Sequence, residues 1–291
     1  MIPSSIPQLA RRLLPAGLRI HLRRSAMVRQ VARVLLRGTV HRPFPDSEFQ
    51  LFYDGYRNIG LGANIASFEF EERRFVREIL IRKRPKTIWD IGANIGVWSL
   101  FFTTVCSPET EIRCFEPDPD NLKLLRLNMR KNRIGNWIIR PLAASDRECT
   151  ATFYSDPVCG STGSLSQNFD FIGKHYGVPR EEFRVEVTTV DSEIARGAPP
   201  PQFMKIDVEG YELEVLSGAL RTLSEHRPLL ILETTPGSVE ISSFFRGIEY
   251  RLLDLMGKPI GAPLFNTIAV PREEDLGNLC ASSAPLRELI G

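Results

Sequence analysis

The sequence predicts an α/β fold in which a mostly parallel sheet is flanked by helices, and three features point to it. A buried strand, Thr87–Ile91, breaks into a glycine-rich turn followed by the apolar helical run Val97–Val105. A second strand, Glu111–Glu116, alternates and stops at Pro117. A later strand, Pro228–Glu233, is apolar almost throughout, as a central strand of a parallel sheet is expected to be.

The turn Asp90-Ile91-Gly92-Ala93-Asn94-Ile95-Gly96 has the features of a ligand site. Gly92 permits a backbone geometry closed to other residues, and Gly96 lets the turn approach a ligand without a Cβ in the way. The turn opens onto a helix N-terminus, where free N–H groups and the helix dipole favour an anionic group. Asp90 ends the strand and is therefore expected to point into the same crevice.

Three interpretations of this turn stay open on its own residues. It is a connection without a ligand, a dinucleotide site, or a site for a nucleoside-type cofactor without a pyrophosphate, such as S-adenosylmethionine. Its spacing is G-x-x-x-G and lacks the G-x-G-x-x-G of dinucleotide sites. Glu116, 20 positions after Gly96, stands where a doubly wound fold places an acidic side chain on two ribose hydroxyls. Ala144 and Ser145 follow a third strand and leave room for a flat ring such as adenine.

A strand from Phe203 ends in charged residues that are candidates for catalysis. Lys205, Asp207 and Glu209 alternate, so an extended chain places them on one side. A carboxylate between a lysine and a second carboxylate has a perturbed pKa and can serve as a general base. Alternatively, Asp207 and Glu209 bind a divalent cation such as Mg²⁺, with Glu233 as a third oxygen ligand. A structural salt bridge is the remaining alternative, although burying charge for structure alone is costly.

Four segments together resemble the FkbM family of S-adenosylmethionine-dependent methyltransferases, over roughly residues 85–233. The first is shared by many methyltransferases, whereas the last is close to a family signature. The segments are Asp90-Ile91-Gly92-Ala93-Asn94-Ile95-Gly96, Phe115-Glu116-Pro117, Leu142-Ala143-Ala144-Ser145-Asp146 and Lys205-Ile206-Asp207-Val208-Glu209-Gly210-Tyr211-Glu212.

The resemblance implies a Rossmann-like class I methyltransferase fold with a mostly parallel seven-stranded sheet and an antiparallel last strand. It implies S-adenosylmethionine as methyl donor and an oxygen nucleophile, often a hydroxyl of a sugar, glycan or natural product. It also places an acidic residue near the cofactor before the main domain, for which Glu69, Glu71 and Glu72 are candidates; a surface role is the alternative. The residues expected to hold the cofactor are Asp90, Gly92, Asn94, Gly96, Glu116, Ala144 and Ser145.

The segment 156–182 is predicted to be a lid or substrate loop. Its first 25 residues hold four glycines and two prolines without a clear period, and unstructured loops of this length are usually functional or disordered. His175 is a candidate general base, because a neutral imidazole near pH 7 can accept a hydroxyl proton. An ordinary surface imidazole is the alternative.

The N-terminus is strongly basic. Residues 1–45 contain nine arginines and no acidic residue, which leaves 28 basic and 35 acidic residues, a net charge of −7, in the remainder. A helical wheel of residues 18–37 places an apolar face opposite most of the arginines, a pattern suited to an anionic membrane surface. Docking on the chain's own domain, nucleic-acid binding and a targeting peptide are alternatives, although nucleic acid is not expected without interleaved aromatics or lysines.

Composition sets the remaining expectations. Five cysteines without a C-x-x-C pair favour neither a disulfide framework nor a zinc site, and no apolar run reaches 18 residues. We expect a cytoplasmic protein, with peripheral membrane contact through residues 18–37. The predicted parts are a basic N-terminal extension, strands and a helix packed on the core, the methyltransferase domain and a tail, at residues 1–45, 46–84, 85–270 and 271–291.

Two rival functions stay open beside methyl transfer to a small-molecule or glycan acceptor. An NAD-linked oxidoreductase suits Glu116 but not the glycine spacing, and a catalytically silent membrane-surface module keeps the fold without turnover. A nucleic-acid base methylase usually carries an Asn/Asp-Pro-Pro-Tyr type segment. Asp207-Val208-Glu209-Gly210 occupies that place here.

Overall fold

The computed structural model describes residues 25–274 and residue 276. The helices are α1 (Ala26–Leu35), α2 (Ile59–Ala63), α3 (Phe70–Lys83), α4 (Val97–Val105), α5 (Pro119–Lys131), α6 (Phe171–Tyr176), α7 (Val190–Ala195), α8 (Glu212–Ser217), α9 (Leu220–Glu225) and α10 (Val239–Gly247). The strands are β1 (Thr39–Pro43), β2 (Gln50–Asp54), β3 (Thr87–Ile91), β4 (Glu111–Phe115), β5 (Trp137–Arg140), β6 (Ala143–Ala144), β7 (Cys149–Ser155), β8 (Glu181–Thr188), β9 (Phe203–Ile206), β10 (Leu229–Glu233), β11 (Tyr250–Leu253), β12 (Pro259–Ile260) and β13 (Asn266–Pro271).

The main sheet confirms the predicted fold class. Its order is β12-β11-β13-β10-β9-β3-β4-β5, with the five strands from β10 to β5 mutually parallel and β13 inserted antiparallel between β10 and β11. The sheet has eight strands where seven were expected, because the two-residue strand β12 pairs with the edge strand β11. The chain order reverses beside β3, which is where open α/β sheets place their ligands.

Burial on both faces explains why the central strands are apolar. Every residue of β3 and β9 is buried. One core cluster joins the sheet to α3, α4 and α5, and a second joins the opposite face to α8, α9 and α10. Strands covered on both faces bury side chains in either direction, so they read as continuous apolar runs.

Two smaller units complete the fold. Strands β1 and β2 form an antiparallel hairpin, so residues 39–43, assigned above to the N-terminal extension, belong structurally with the segment after it. Asn128 on α5 and Asn132 just after α5 accept hydrogen bonds from the hairpin amides of Phe52 (2.7 Å) and Gln50 (2.8 Å), respectively. A three-stranded sheet, β6-β8-β7, carries the predicted lid segment.

The N-terminal helix prediction is met only over part of its length. Helix α1 covers residues 26–35, whereas residues 18–24 of the predicted helix lie outside the described part of the chain. Within residues 25–274, no helix is both long enough and apolar enough to cross a membrane. The division into four parts stays a prediction.

Candidate active site

A cavity of about 660 Å³ opens at the edge of the sheet where β3, β4, β9 and β10 end. Parallel strands end at the same edge, so side chains that follow them in sequence meet in space. One part of the lining comes from the turn after β3 and from the ends of β4 and β6. The other comes from the ends of β9 and β10, the start of α3 and the segment before β13.

Glu116 lies at the end of β4 and is held by two backbone amides. Asp118 N donates to its Oε1 and Asn94 N to its Oε2, both at 2.8 Å. Burial and the charge of Asp118 raise the pKa of Glu116 to about 8, although the two amides oppose the shift. Each oxygen keeps a second lone pair, so the carboxylate can accept two further hydrogen bonds from a ligand that lies in the cavity.

The turn after β3 is held by close contact with neighbouring chain. Gly92 has φ +82°, and a Cβ built on it would lie 1.8 Å from the carbonyl oxygen of Asp207. Asn94 also has a positive φ, and its Nδ2 donates to the carbonyl of Gly160 at 2.8 Å. Gly92 and Asn94 both line the cavity, as the sequence predicts.

Three residues predicted to hold the cofactor lie outside the cavity lining. Asp90 is fully buried, accepts a 2.6 Å hydrogen bond from Ser99 Oγ and faces Lys205 from the next strand. A Cβ on Gly96 would lie 2.7 Å from a methyl carbon of Leu125, so this glycine permits helix packing rather than ligand approach. Ser145 is buried and is not part of the cavity lining, whereas its neighbour Ala144 does line the cavity.

Lys205 is an anchor for carboxylates. Its Nζ lies 2.9 Å from Asp207 Oδ2, 3.3 Å from the carbonyl of Gly92 and 3.8 Å from Asp90 Oδ1. Burial lowers the pKa of Lys205, but the charges of Asp207, Asp90 and Glu69 more than offset this, and the pKa stays above its ordinary value. Lys205 is therefore a fixed cation that orients Asp207, and it is unsuited to act as a base.

Asp207, Glu209 and Glu233 form the carboxylate cluster that the sequence predicts. One oxygen from each lies within 4.8 Å of the others. Burial, followed by the charge of Asp207, raises the pKa values of Glu209 and Glu233 well above the ordinary range. Glu209 does not reach the cluster by strand alternation as predicted, because β9 ends at Ile206 and Glu209 adopts a left-handed turn with φ +56°.

Glu69 is a site residue that the sequence pattern did not single out. It precedes α3 with φ +47°, lines the cavity and accepts a hydrogen bond from Trp98 Nε1. Burial, opposed by Lys205, raises its pKa to about 7. Glu71 and Glu72 also line the cavity, so all three acidic candidates of this segment reach it. The only sequence signal for them was the family resemblance.

Asn121 is a cavity residue that sequence reasoning missed. It lies in the first turn of α5, lines the cavity, and its Nδ2 donates to the carbonyl of Gly160 at 3.0 Å. Its Oδ1 is buried and has no hydrogen-bond partner within the described residues. A buried polar atom without a partner is costly, so a donor from a bound ligand would stabilise this site.

The predicted lid does reach the site, but His175 does not. Ser161, Gly163 and Leu165 line the cavity, and Arg57 holds the start of the segment by donating to the carbonyl of Asp156 at 3.0 Å. His175 lies on α6 outside the cavity lining, with its ring stacked on Phe171 and its Nδ1 2.9 Å from the Phe171 carbonyl oxygen. The predicted base is therefore not in place.

Replacing Glu116 by glutamine should weaken S-adenosylmethionine binding about 10- to 100-fold at pH 8, because hydrogen bonds to a charged group are lost. Only the ionised side chain accepts from both hydroxyls of a ribose. Since its pKa lies near 8, affinity of the unaltered protein should rise at least about tenfold from pH 6 to pH 8 and then level off. Calorimetric titration across this range tests it. Equal pH dependence in Glu116→Gln would contradict it.

An open α/β sheet with a buried acidic residue after its second strand, and an antiparallel strand beside its fifth, has the class I methyltransferase fold. Residues 90–255 match the family described as the methyltransferase FkbM domain. This is more than half of the chain, and the protein belongs to that family.

Individual relatives agree with this assignment. The chain is 29% identical, over 47% of its length and 51% of the relative, to the hexuronic acid methyltransferase AglP of Haloferax volcanii. It is 27% identical to the 31-O-demethyl-FK506 methyltransferase FkbM of Streptomyces tacrolimicus, over 51% of its length and 65% of the relative. The matched stretch thus spans about half to two thirds of these relatives.

A solved structure, the methyltransferase FkbM from Methylobacillus flagellatus KT, is 20% identical to this chain. The superposition covers 63% of this chain and 43% of that one, with a TM-score of 0.42. This likeness is too small to support an assignment, and the family membership rests on the sequence match.

Proposed function

We propose that this protein is an S-adenosylmethionine-dependent methyltransferase that methylates a hydroxyl group of a sugar, glycan or natural product. The observation that carries the proposal is the single cavity shared by Glu116 and the carboxylate cluster around Lys205. One part of the cavity suits a ribose and the other suits a hydroxyl that must lose a proton. The names of the two relatives, one acting on a hexuronic acid and one on an oxygen of FK506, support an oxygen acceptor.

The residues of the cofactor part fit a nucleoside. Glu116 offers two fixed acceptor atoms, Asn121 Oδ1 is a buried acceptor in need of a donor, and Ala143 and Ala144 line the wall without bulk. When bound, S-adenosylmethionine supplies an activated methyl group on a sulfonium. The chain itself then has to align the acceptor oxygen with that carbon and remove its proton.

Asp207 is the residue to which we assign proton removal. Its Oδ2 is fixed by Lys205 at 2.9 Å, and its side chain lines the cavity and is 23% exposed, so an acceptor in the cavity can reach it. Asp207 is also the neighbour whose charge contributes most, after burial, to the raised pKa values of Glu209 and Glu233. The fixed cation of Lys205 stabilises the negative charge of the site while the proton of the acceptor hydroxyl moves to a carboxylate oxygen of Asp207.

The same cluster fits a divalent cation. Three carboxylate oxygens within 4.8 Å of one another are the hard ligands that Mg²⁺ prefers. An ion there would relieve the repulsion that contributes to the raised pKa values of Glu209 and Glu233. Asp207, Glu209 and Glu233 would then hold the ion, which would polarise the acceptor hydroxyl.

Magnesium should stabilise the protein by about 1.4 kcal/mol at about ten times the dissociation constant. That corresponds to a rise in melting temperature of about 3–6 °C. Glu233→Gln should abolish the shift, whereas Glu240→Gln, on α10 outside the cavity lining, should retain it. An equal shift in both variants would show that the ion binds elsewhere.

Titration calorimetry with S-adenosylmethionine, and with NAD as the comparison ligand, tests the cofactor. Binding of the first alone, followed by S-adenosylhomocysteine formation in an acceptor screen with and without Mg²⁺, is the expected result. Binding of NAD alone would overturn the proposal in favour of an oxidoreductase. Binding of S-adenosylmethionine without turnover on any hydroxyl acceptor would favour the catalytically silent module.

A further inference from the structure

Helix α1 exposes an apolar stripe that the proposed reaction does not use. Met27, Val31, Val34 and Leu35 are 75%, 53%, 56% and 61% exposed. Their spacing of i, i+4, i+7 and i+8 places them on one face of the helix. Scattered apolar side chains on a surface are ordinary, but a continuous stripe of four large ones indicates an interaction surface.

Helix α1 contacts the rest of the described chain through the side opposite the apolar stripe. The Arg33 guanidinium lies over the ring of Tyr56 at 5.5 Å, and Gly38, just after α1, accepts a 2.9 Å hydrogen bond from Gly55 N. Helical spacing places Arg33 opposite Met27 and Val31. The stripe therefore faces away from the body, which is the reverse of a helix that docks on its own domain through apolar contacts.

Two binding partners for the stripe remain, a second copy of the chain and an anionic membrane, and the charge of the N-terminal segment distinguishes between them. Residues 1–45 carry nine arginines and no carboxylate, five of these arginines preceding Ser25 in sequence, while Arg37 lies exposed after the helix. A second copy of the chain would bring two such positive segments together, and like charges repel. An anionic bilayer surface attracts them and also accepts apolar side chains at the boundary between headgroups and acyl chains.

We propose that α1 is a membrane-surface anchor, whose stripe inserts into an anionic lipid leaflet while the surrounding arginines contact lipid phosphates. The remainder of the chain has a net charge of −7, so the basic extension is the part that an anionic surface attracts. The anchor does not depend on the identity of the acceptor or on turnover.

Vesicle flotation of the full chain tests the anchor. Vesicles of phosphatidylcholine with about 30 mol% phosphatidylglycerol should bind at least about tenfold more protein than pure phosphatidylcholine. Raising the salt to about 0.5 M should release most of it, because the attraction is screened. Equal binding to both vesicles, or none to either, would overturn the proposal.

Variants show whether the stripe is responsible. Met27→Asp with Val31→Asp should reduce binding at least about tenfold, and the helix should persist, because an aspartate at residue 27 lies in its first turn, where the dipole favours negative charge. Val34→Ser with Leu35→Ser removes apolar surface without adding charge and should also weaken binding. The matched control is Val239→Asp on α10, which is 70% exposed and should bind like the unaltered chain.

Light scattering tests the alternative that the stripe is a dimer contact. A mass of twice the chain that returns to one chain in Met27→Asp with Val31→Asp would assign the stripe to a dimer contact and overturn the anchor. Melting curves of all variants should lie within about 2 °C of the unaltered protein, since surface changes usually alter stability by less than about 0.5 kcal/mol. Loss of vesicle binding in the Val239→Asp control would also overturn the proposal.

Discussion

Asp207→Asn is expected to lower turnover about 10²- to 10⁴-fold, the usual contribution of a positioned general base. Asparagine keeps the size of the side chain but cannot accept a hydroxyl proton, and it leaves Lys205 with only Asp90 Oδ1, at 3.8 Å, among its ion-pair partners. Affinity for S-adenosylmethionine should change far less, because Asp207 lies in the other part of the cavity from Glu116. The rate of S-adenosylhomocysteine formation and calorimetric titration measure the two effects separately.

The matched control is Asp46→Asn, whose carboxylate is 80% exposed and lies outside the cavity lining. It should leave turnover unchanged. Magnesium concentration separates the two roles of Asp207. If Asp207 acts as a base, raising Mg²⁺ should not restore activity; recovery toward the original rate would assign it to metal binding. Unaltered turnover in Asp207→Asn would remove it from the chemistry.

Gly92→Ala is expected to destabilise the protein by about 3 kcal/mol or more. The left-handed backbone costs a residue with a Cβ about 1–2 kcal/mol, and overpacking adds about 1–3 kcal/mol. The added carbon would lie 1.8 Å from the carbonyl oxygen of Asp207, and backbone cannot move aside as a flexible side chain can. The melting temperature should fall by about 6–12 °C.

Gly135→Ala is the control for this substitution. A Cβ on Gly135 meets nothing within 4 Å among the described residues, and Gly135 is not one of the glycines with positive φ. Its stability should change by less than about 0.5 kcal/mol. A similar loss in both variants would show that the contact with Asp207 is not the cause, because the unfolded-chain effect of replacing glycine by alanine is stabilising.

The strand ends were the most predictable part of the site. Glu116 and Asp207 each follow a strand of the main sheet and Glu233 ends one, and parallel strands bring such residues to one edge whatever the loops do. Asn121 was missed, and Glu69 was named as a candidate only through the family resemblance, because neither follows a strand of the main sheet. Each reaches the cavity through the packing of a helix start, for which a single sequence offers no spacing rule.

His175 is the reverse case, because it was predicted to belong to the site and does not line the cavity. Its residue type suits a base, but type alone does not set position, and the structure stacks its ring on Phe171 outside the cavity lining. The segment that carries it does supply Ser161, Gly163 and Leu165 to the cavity. The prediction of a loop that reaches the substrate region was therefore useful, whereas the prediction of its reactive residue was not supported.

The sequence by itself determined the order of strands and helices, the turn after β3 and the identity of the charged cluster, because these follow from local apolar periodicity and from glycine chemistry. Only the tertiary structure decided what those residues touch. It buried Asp90 beneath Lys205, set Gly92 against the carbonyl of Asp207 and gave Gly96 a packing role beside Leu125. The physical reason is that these contacts join segments about 30 to 115 residues apart, whose distance depends on the packing of the whole sheet.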